Sequence, residues 1–221
     1  MKESSLSDYV VMACAISVTA IAGYRQFGAS KNLGTPTAKP AEVKEWDQVL
    51  NDSRLIFGDH SRPVQLVVFS DFECPACTVF ATKSLKGIEA EFPEDVAVSY
   101  RHWPLSYHHL ARPTAEAAEC AAEQGNFSSF YTVIFAKHDS LGIKSFQSYA
   151  SESGITDTVA FNACLASDRP SPRINKDIST AAAVGAQGTP TILLNGKRYE
   201  GLADSSRLME VVQKLVREGR Q

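Results

Sequence analysis

The apolar residues of this chain form two strand-like runs with a helix between them. The run predicted as a strand at residues 65–69 is almost continuously apolar, which is typical of a strand buried on both faces of a sheet covered by helices. Residues 96–100 alternate between apolar and polar positions and predict a second strand. Residues 78–91 have helical spacing. Together these segments predict a β-α-β unit.

Helical spacing then continues from about residue 105 to about residue 190 with no strand between. It predicts five helices, at residues 111–124, 127–137, 144–153, 157–166 and 172–184. A hairpin is predicted at residues 191–200, because Asn195-Gly196 separates two β-prone runs. An amphipathic helix at residues 204–217 follows. The pattern thus predicts an α/β chain with a block of helices inserted between its strands.

The first 45 residues differ in composition from the rest. Residues 10–22 are apolar apart from Ser17 and Thr19, and this length suits a signal-peptide core better than a full span of about 20 residues. We therefore expect residues 1–27 to be a signal peptide or an N-terminal membrane anchor, and both alternatives stay open. Residues 28–45 begin with a stretch rich in Gly, Ser, Thr, Ala and Pro and are predicted to be a flexible linker.

The bulk composition is that of an ordinary globular protein. The chain has 221 residues, a hydrophobic fraction of 44%, a charged fraction of 21% and a net charge of −3. A net negative charge without a basic cluster argues against nucleic-acid binding. Of the five cysteines, one lies in the apolar N-terminal segment. The other four are an even number, which is consistent with two disulfides in an oxidising compartment.

The strongest chemical signal is Cys74-Pro75-Ala76-Cys77, at the junction of the first predicted strand and its helix. Unpaired N–H groups and partial positive charge at a helix N-terminus favour ionisation of a thiol, and the thiolate is the reactive form. Pro75 suits the first helical position. We expect Cys74 to be the exposed nucleophile and Cys77 its partner beneath it.

Two other interpretations of this motif are a half zinc site and an inert structural disulfide. A zinc site needs two further ligands at matching spacing. No second Cys-x-x-Cys or His-x3-His pair occurs, and His102, His108 and His109 lack such spacing. The strand-to-helix placement with proline between the cysteines favours redox chemistry. We expect neither a metal nor a cofactor.

Four stretches together resemble DsbA-like proteins, the extracytoplasmic thiol oxidoreductases with a thioredoxin fold and a helical insertion. The resemblance runs from about Trp46 to the C-terminus. The matching stretches are Gly58-Asp59-His60-Ser61-Arg62-Pro63-Val64, Asp71-Phe72-Glu73-Cys74-Pro75-Ala76-Cys77, Tyr100-Arg101-His102-Trp103-Pro104-Leu105 and Gly188-Thr189-Pro190-Thr191. The resemblance implies an α/β, thioredoxin-like domain over residues 46–221, with an all-helical insertion at about 108–186. The Pro-Ala dipeptide departs from the Pro-His of strongly oxidising members, in which histidine helps to hold the thiolate.

The resemblance also implies roles for single residues. Pro190 would be a cis proline beside Cys74, and the backbone of Thr189 would pair with an extended substrate. Pro75 and Ala76 would contact substrate as well. Glu73 is a candidate proton shuttle for Cys77, with a solvated surface charge as the alternative.

Some members of this family carry a second, structural disulfide in the helical insertion. Cys120 and Cys164 lie on its first and fourth predicted helices. The sequence leaves open whether they are bridged or are two buried free thiols, because Cα atoms more than about 7 Å apart could not pair.

These observations predict an extracytoplasmic thiol–disulfide oxidoreductase, in the periplasm or on the outer face of the cytoplasmic membrane. The leading interpretation is an oxidase that forms disulfides in exported proteins. A reductase or isomerase, or a redox-inert peptide-binding or chaperone module, is the alternative. Expected partners are exported proteins with cysteine thiols and, as the resemblance implies, a membrane redox partner that recycles the enzyme. We expect a monomer.

Overall fold

A computed structural model describes residues 39–199, 202 and 205–220 of the chain. The predicted signal peptide or anchor, and most of the predicted linker, therefore lie outside the described residues. Six strands form one sheet in the order β1-β6-β5-β3-β4-β2. The strands are β1 (Ala41–Glu42), β2 (Arg54–Phe57), β3 (Val64–Ser70), β4 (Val96–His102), β5 (Thr191–Leu194) and β6 (Lys197–Arg198). Only the pairing of β3 with β4 is parallel within this sheet, as a β-α-β unit requires.

Helices connect and cover these strands. They are α1 (Trp46–Asn51), α2 (Pro75–Val79), a π-helical turn (Phe80–Ser84), α3 (Leu85–Glu91), α4 (Ala111–Ala122), α5 (Phe127–Ala136), a 3₁₀ turn (His138–Ser140), α6 (Phe146–Glu152), α7 (Thr158–Leu165), α8 (Ser171–Ala183) and α9 (Ser205–Gly219). The five helices α4 to α8 lie between β4 and β5, where the sequence predicts the insertion. Within the described part of the chain, no helix combines the length and the apolar character that a membrane crossing demands.

The central strand β3 sends its side chains alternately into two apolar clusters. Val64, Leu66 and Val68 belong to the larger cluster, with residues from α2 to α7 and α9. Val67 and Phe69 belong to the smaller one, with residues from α1 and α8. Because each face of the strand is covered, its sequence is apolar at nearly every position.

The strand predicted at residues 96–100 is confirmed as β4, but its polar positions do not face water. All seven residues of β4 are buried, including the charged Arg101. The guanidinium of Arg101 pairs with Asp177 of α8 at 2.8 Å, and both side chains are completely inaccessible. It also donates to the Val49 carbonyl at 3.0 Å. A buried charge is tolerated when it is paired and hydrogen-bonded, so a polar residue here faces a helix and not water.

The sheet begins inside the predicted linker of residues 28–45. Ala41 and Glu42 pair antiparallel with Arg198 and Lys197 of β6. The next residue extends the pairing, since the Val43 N–H donates to the Gly196 carbonyl at 2.8 Å. Such a short edge strand is held by backbone hydrogen bonds, which leave no hydrophobic pattern in the sequence.

Candidate active site

The two cysteines of the Cys-x-x-Cys motif lie at the junction between β3 and α2. Cys74 is the N-cap residue of α2, with an extended backbone at φ −72° and ψ 123°, and Pro75 is the first helical residue. Cys74 is 7% exposed, whereas Cys77 is completely buried. Both are free thiols in this structure. Cys74 is therefore the less buried of the two, although it is not the exposed residue that the sequence predicts, and Cys77 lies one helical turn further inside.

The surroundings of Cys74 favour its thiolate. The hydrogen bond from the Cys77 thiol is the largest cause, and it outweighs burial, which acts in the opposite direction. The Thr189 hydroxyl and the backbone N–H groups of Cys77 and Ala76 add to it, and the pKa of Cys74 falls to about 5. Pro75 and Ala76 have no polar side chain that could stabilise the Cys74 thiolate, as a histidine in the dipeptide would. Helix N–H groups and the Cys77 thiol stabilise it instead.

The surroundings of Cys77 have the opposite effect. Burial is the main cause that raises the pKa of Cys77 far above its usual range, and its hydrogen bond to Cys74 raises it further. Two neighbours with protons to donate, Ser70 and the Asp71 backbone, lower it only in part. The pair therefore divides its charge unequally: Cys74 carries the thiolate and Cys77 keeps its proton.

The loop before β5 faces Cys74. The Thr189–Pro190 peptide bond is cis. Sγ of Cys74 lies 3.5 Å from the Thr189 carbonyl oxygen, which accepts a hydrogen bond from Cys74 in its protonated form. The register that pairs Phe69 of β3 with Thr191 of β5 explains this proximity, because it places the start of β5 beside the end of β3. The buried Thr189 Oγ1 has no other hydrogen-bond partner in the described residues.

Pro75 and Ala76 are exposed beside this loop. The next exposed apolar side chain on the same helix is Val79, which is 47% exposed. An apolar, uncharged surface therefore borders the accessible cysteine.

The carboxylate of Glu73 is neither solvated freely nor directed at a cysteine by any hydrogen bond. Its Oε2 accepts from the Leu110 N–H, just before α4, at 2.6 Å. The Glu73 carbonyl lies 3.2 Å from Nε2 of His138. These contacts attach the active-site turn to the helical insertion, and a proton-shuttle role for Glu73 stays a prediction.

Asp71 is a residue of this site that sequence reasoning did not single out. It is 1% exposed, and one carboxylate oxygen accepts from the Glu73 N–H at 2.7 Å. The other accepts from the Leu105 N–H and faces Nδ1 of His108, each at 2.8 Å. A charged residue between a buried strand and a Cys-x-x-Cys motif was the available signal.

The histidines considered above as metal ligands, His102, His108 and His109, do not lie together with further ligands. No group of three or more metal-ligating side chains occurs among the residues that the structure describes. His108 contacts Asp71, and His109 is exposed. His102 is buried, and its Nε2 lies 2.9 Å from Oε1 of Glu119 on α4.

Glu119 connects that histidine to the edge of the sheet. Its other carboxylate oxygen pairs with Arg54 of β2. Burial would raise the pKa of Glu119, but the hydrogen bonds from His102 and Arg54 overcome it and lower the pKa to about 2. The insertion is therefore held to the sheet by a charged network beneath the active site.

Cys120 follows Glu119 directly and is bridged to Cys164 of α7. The two Cα atoms are 5.7 Å apart, and 44 residues separate the cysteines in sequence. Both side chains are at most 1% exposed. This bridge lies in the core of the insertion and joins its first helix to its fourth.

The comparisons with known proteins agree with this geometry. A family model described as thioredoxin matches residues 50–214. The chain belongs to the thioredoxin family. Solved structures of DsbA-like proteins have the same fold. BdbD from Bacillus subtilis has a TM-score of 0.68 at 21% identity, over 81% of this chain and 98% of that one. Alpha-DsbA1 from Wolbachia pipientis has a TM-score of 0.64 at 21% identity, over 76% of this chain and 92% of that one.

A third structure, the catalytic domain of ScsC from Proteus mirabilis, has a TM-score of 0.65 at 20% identity, over 78% of this chain and 94% of that one. The predicted fold class, a thioredoxin-like core with a helical insertion, is confirmed. The described part of the chain is thus a domain of the thioredoxin family with the fold of these structures and an intact cysteine pair.

Among curated proteins, the chain is similar to parts of larger ones. It is 34% identical over 159 residues to a Na⁺/H⁺ antiporter NhaA of Herminiimonas arsenicoxydans, which covers 72% of this chain and 25% of that protein. It is 30% identical over 218 residues to NhaA 1 of Mycolicibacterium vanbaalenii, which covers 96% of this chain and 35% of that protein. The chain thus spans between a quarter and about a third of the length of these two relatives.

Proposed function

We propose that this protein oxidises thiol pairs of exported proteins to disulfides, with Cys74 as the attacked sulfur and Cys77 as the leaving one. The observation that carries the proposal is the unequal pair: an accessible Cys74, whose pKa is about 5, above a buried Cys77, whose pKa is raised. A disulfide whose reduced form is stabilised in this way is a stronger oxidant.

The exchange takes two steps. A substrate thiolate attacks Sγ of Cys74 in the oxidised protein, the Cys74–Cys77 bond breaks, and Cys77 leaves and takes up a proton. A second substrate thiolate then attacks the substrate sulfur of the mixed disulfide and releases Cys74 as a thiolate. The substrate loses two electrons and gains a disulfide, and the protein is left as the reduced dithiol. Another oxidant must then restore the Cys74–Cys77 bond.

The loop of Thr189 and Pro190 is the proposed substrate-binding element. The Thr189 carbonyl lies beside Cys74, and an extended substrate segment bound along this loop would present its sulfur to that thiol. Pro75 and Ala76 offer an exposed surface without charge on the opposite side. Such a site favours extended chains of varied sequence, because backbone pairing does not depend on side-chain identity.

The proposed compartment is extracytoplasmic, in the periplasm or on the outer face of the membrane. The Cys120–Cys164 bridge supports it, because structural disulfides persist in oxidising compartments and are rare where thiols are kept reduced. The proposed partners are exported proteins with free thiols and a membrane redox protein that reoxidises Cys74 and Cys77. We propose that the domain acts as a monomer.

The reduction potential of the Cys74–Cys77 pair tests the direction of the reaction. We expect a value near about −120 mV, as for strong oxidants, when the protein is equilibrated with glutathione buffers. The Cys120–Cys164 bridge should stay intact throughout, as mass after alkylation will report. A potential near about −270 mV, as for thioredoxin, would instead make the protein a reductase.

A Cys77→Ser variant tests the assignment of the two sulfurs. It retains the nucleophile and lacks the resolving thiol, so it should accumulate a mixed disulfide with a disulfide-containing protein: the Cys74 thiolate attacks the substrate disulfide, one substrate thiolate leaves, and no Cys77 thiol resolves the product. The matched Cys74→Ser variant should trap far less. A redox-inert binding module would retain such a partner without any covalent link, which reducing and non-reducing gels distinguish.

A further inference from the structure

Asp71 contacts three residues of the turn that carries the active cysteines. Its carbonyl accepts the Cys74 N–H at 3.2 Å, and its own N–H is directed at the Cys77 sulfur. Its side chain accepts the Glu73 N–H at 2.7 Å. One residue therefore restrains the backbone of the turn from both its main chain and its side chain.

The same carboxylate connects this turn to the loop after β4. Its second oxygen accepts the Leu105 N–H and lies beside Nδ1 of His108, each at 2.8 Å. The Asp71 side chain is completely inaccessible, and that of His108 is 18% exposed. Three donors around a buried carboxylate make a rigid junction, since each bond lost inside a protein leaves a group unsatisfied.

A second carboxylate continues the connection. Glu73 accepts from the Leu110 N–H at the start of α4 at 2.6 Å. The turn is thus attached to successive points of the segment between β4 and α4, through two acidic side chains that flank Phe72. Phe72 itself is buried and stacks on Tyr100 of β4, with ring centroids 5.1 Å apart.

We propose that Asp71 is a positioning residue for thiol–disulfide exchange: its buried carboxylate holds the turn so that the Cys74 sulfur stays in line with the first N–H groups of α2 and with the Thr189 loop. The proposal rests on the function proposed above. Its consequence is that the Cys74 thiolate depends on a residue that does not touch the Cys74 sulfur.

An alternative role for Asp71 makes the opposite prediction. A carboxylate three residues from Cys74 repels a thiolate, so removal of its charge alone would make Cys74 easier to ionise. Loss of the positioning contacts would make Cys74 harder to ionise, because the N–H donors would no longer be aligned. The sign of the change in an Asp71→Asn variant therefore separates positioning from simple repulsion.

The experiment measures the alkylation rate of Cys74 by iodoacetamide, and its ultraviolet thiolate absorbance, across pH in the reduced protein with Cys120–Cys164 intact. We expect Asp71→Asn to shift the absorbance titration toward higher pH and, at about pH 4, below the wild-type midpoint, to slow alkylation by up to about fivefold, the factor of one lost hydrogen bond. His108→Ala removes one of the three donors and should slow the reaction by about twofold. His109→Ala, at the exposed neighbour, is the matched control and should change nothing.

Each result decides one question. A faster reaction in Asp71→Asn, or an unchanged titration in a folded Asp71→Asn protein, would overturn the proposal. If Asp71→Asn does not fold, as its circular dichroism will show, the difference between His108→Ala and His109→Ala decides the test alone. If wild-type Cys74 titrates as an ordinary thiol, the proposed oxidase function is wrong before any variant is compared.

Discussion

The two cysteine pairs of this protein have opposite surroundings and opposite states. Cys74 and Cys77 are separated by two residues at a helix start, with one sulfur accessible and both free. Cys120 and Cys164 are 44 residues apart in sequence, are buried between two helices and are bridged. Both pairs consist of the same two side chains, so their chemistry alone does not distinguish them. Under the proposed function, position in the fold therefore decides which pair exchanges disulfides and which pair is structural.

The accessible pair is reactive because its charge can be stabilised without being solvated. Helix N–H groups and the Cys77 thiol stabilise the Cys74 thiolate, and an incoming sulfur can reach it. The bridged pair lies in the last turns of α4 and α7, where the backbone N–H groups are used in helical hydrogen bonds. A thiolate produced there would be buried without donors, so reduction of this bridge is disfavoured.

The largest expected effect comes from removal of the accessible sulfur. Cys74→Ser should abolish disulfide transfer to a reduced dithiol peptide, because serine cannot form the mixed disulfide. Cys120→Ala with Cys164→Ala should leave the transfer rate close to that of the wild type at a temperature where both are folded. The rate of peptide oxidation by stopped-flow fluorescence checks both. Comparable losses in the two proteins would mean that the pairs are not functionally separate.

The next effect is on stability, and here the bridged pair matters more than the accessible pair. Removal of a bridge that closes a loop of 44 residues should lower the free energy of unfolding by about 4 kcal/mol, from the entropy of the unfolded chain. Denaturant unfolding of Cys120→Ala/Cys164→Ala against the wild type, both with Cys74 and Cys77 reduced, measures it. A loss below about 1 kcal/mol would show that packing of α4 against α7 suffices without the bridge.

A third effect is a pH dependence of stability that arises from the accessible pair. The folded pKa of Cys74 is about 5, and an unfolded thiol has a pKa of about 8.5. A depressed pKa stabilises the folded dithiol form fully above about pH 8.5, and this stabilisation is lost as the pH falls toward about 5. Cys77 stays protonated in both states below about pH 8.5 and adds nothing there.

The dithiol form should therefore lose stability relative to the disulfide form between about pH 8.5 and about pH 5. Urea unfolding of both forms at several pH values measures this difference, and the disulfide form corrects for all other titrating groups. A difference that does not change with pH would show that Cys74 has an ordinary pKa, contrary to the proposed oxidase chemistry.

Sequence patterns predicted most of the secondary structure because buried apolar residues recur with the period of the helix or strand that carries them. The apolar run of β3, the five helices of the insertion and the turn at Asn195-Gly196 all follow from local spacing. The strand β4 was predicted as well, but the burial of its polar residues was not, since they are satisfied by partners distant in sequence, such as Asp177 for Arg101. Edge strand β1 left no record, because backbone pairing with β6 requires no particular side chain.

The candidate site divides in the same way. The placement of Cys74 before a helix, with Pro75 at its first residue, could be predicted from the strand–motif–helix order alone. The contacts of Glu73 with Leu110, and of Asp71 with Leu105 and His108, could not be, because they join segments more than thirty residues apart. The loop of Thr189 and Pro190 was predicted to face Cys74 only through the family resemblance.

The sequence by itself predicted the chemistry of this protein: two cysteines at a strand-to-helix junction, a thioredoxin-like order of elements and three further stretches that resemble DsbA-like proteins. Tertiary structure alone decided how that chemistry is tuned and which other residues take part. Hydrophobic periodicity and turn residues are local properties, so they can be recognised in the sequence without the fold. The stabilisation of the Cys74 thiolate, the Cys120–Cys164 bridge and the contacts of Asp71 depend on distances between segments that only the folded chain brings together.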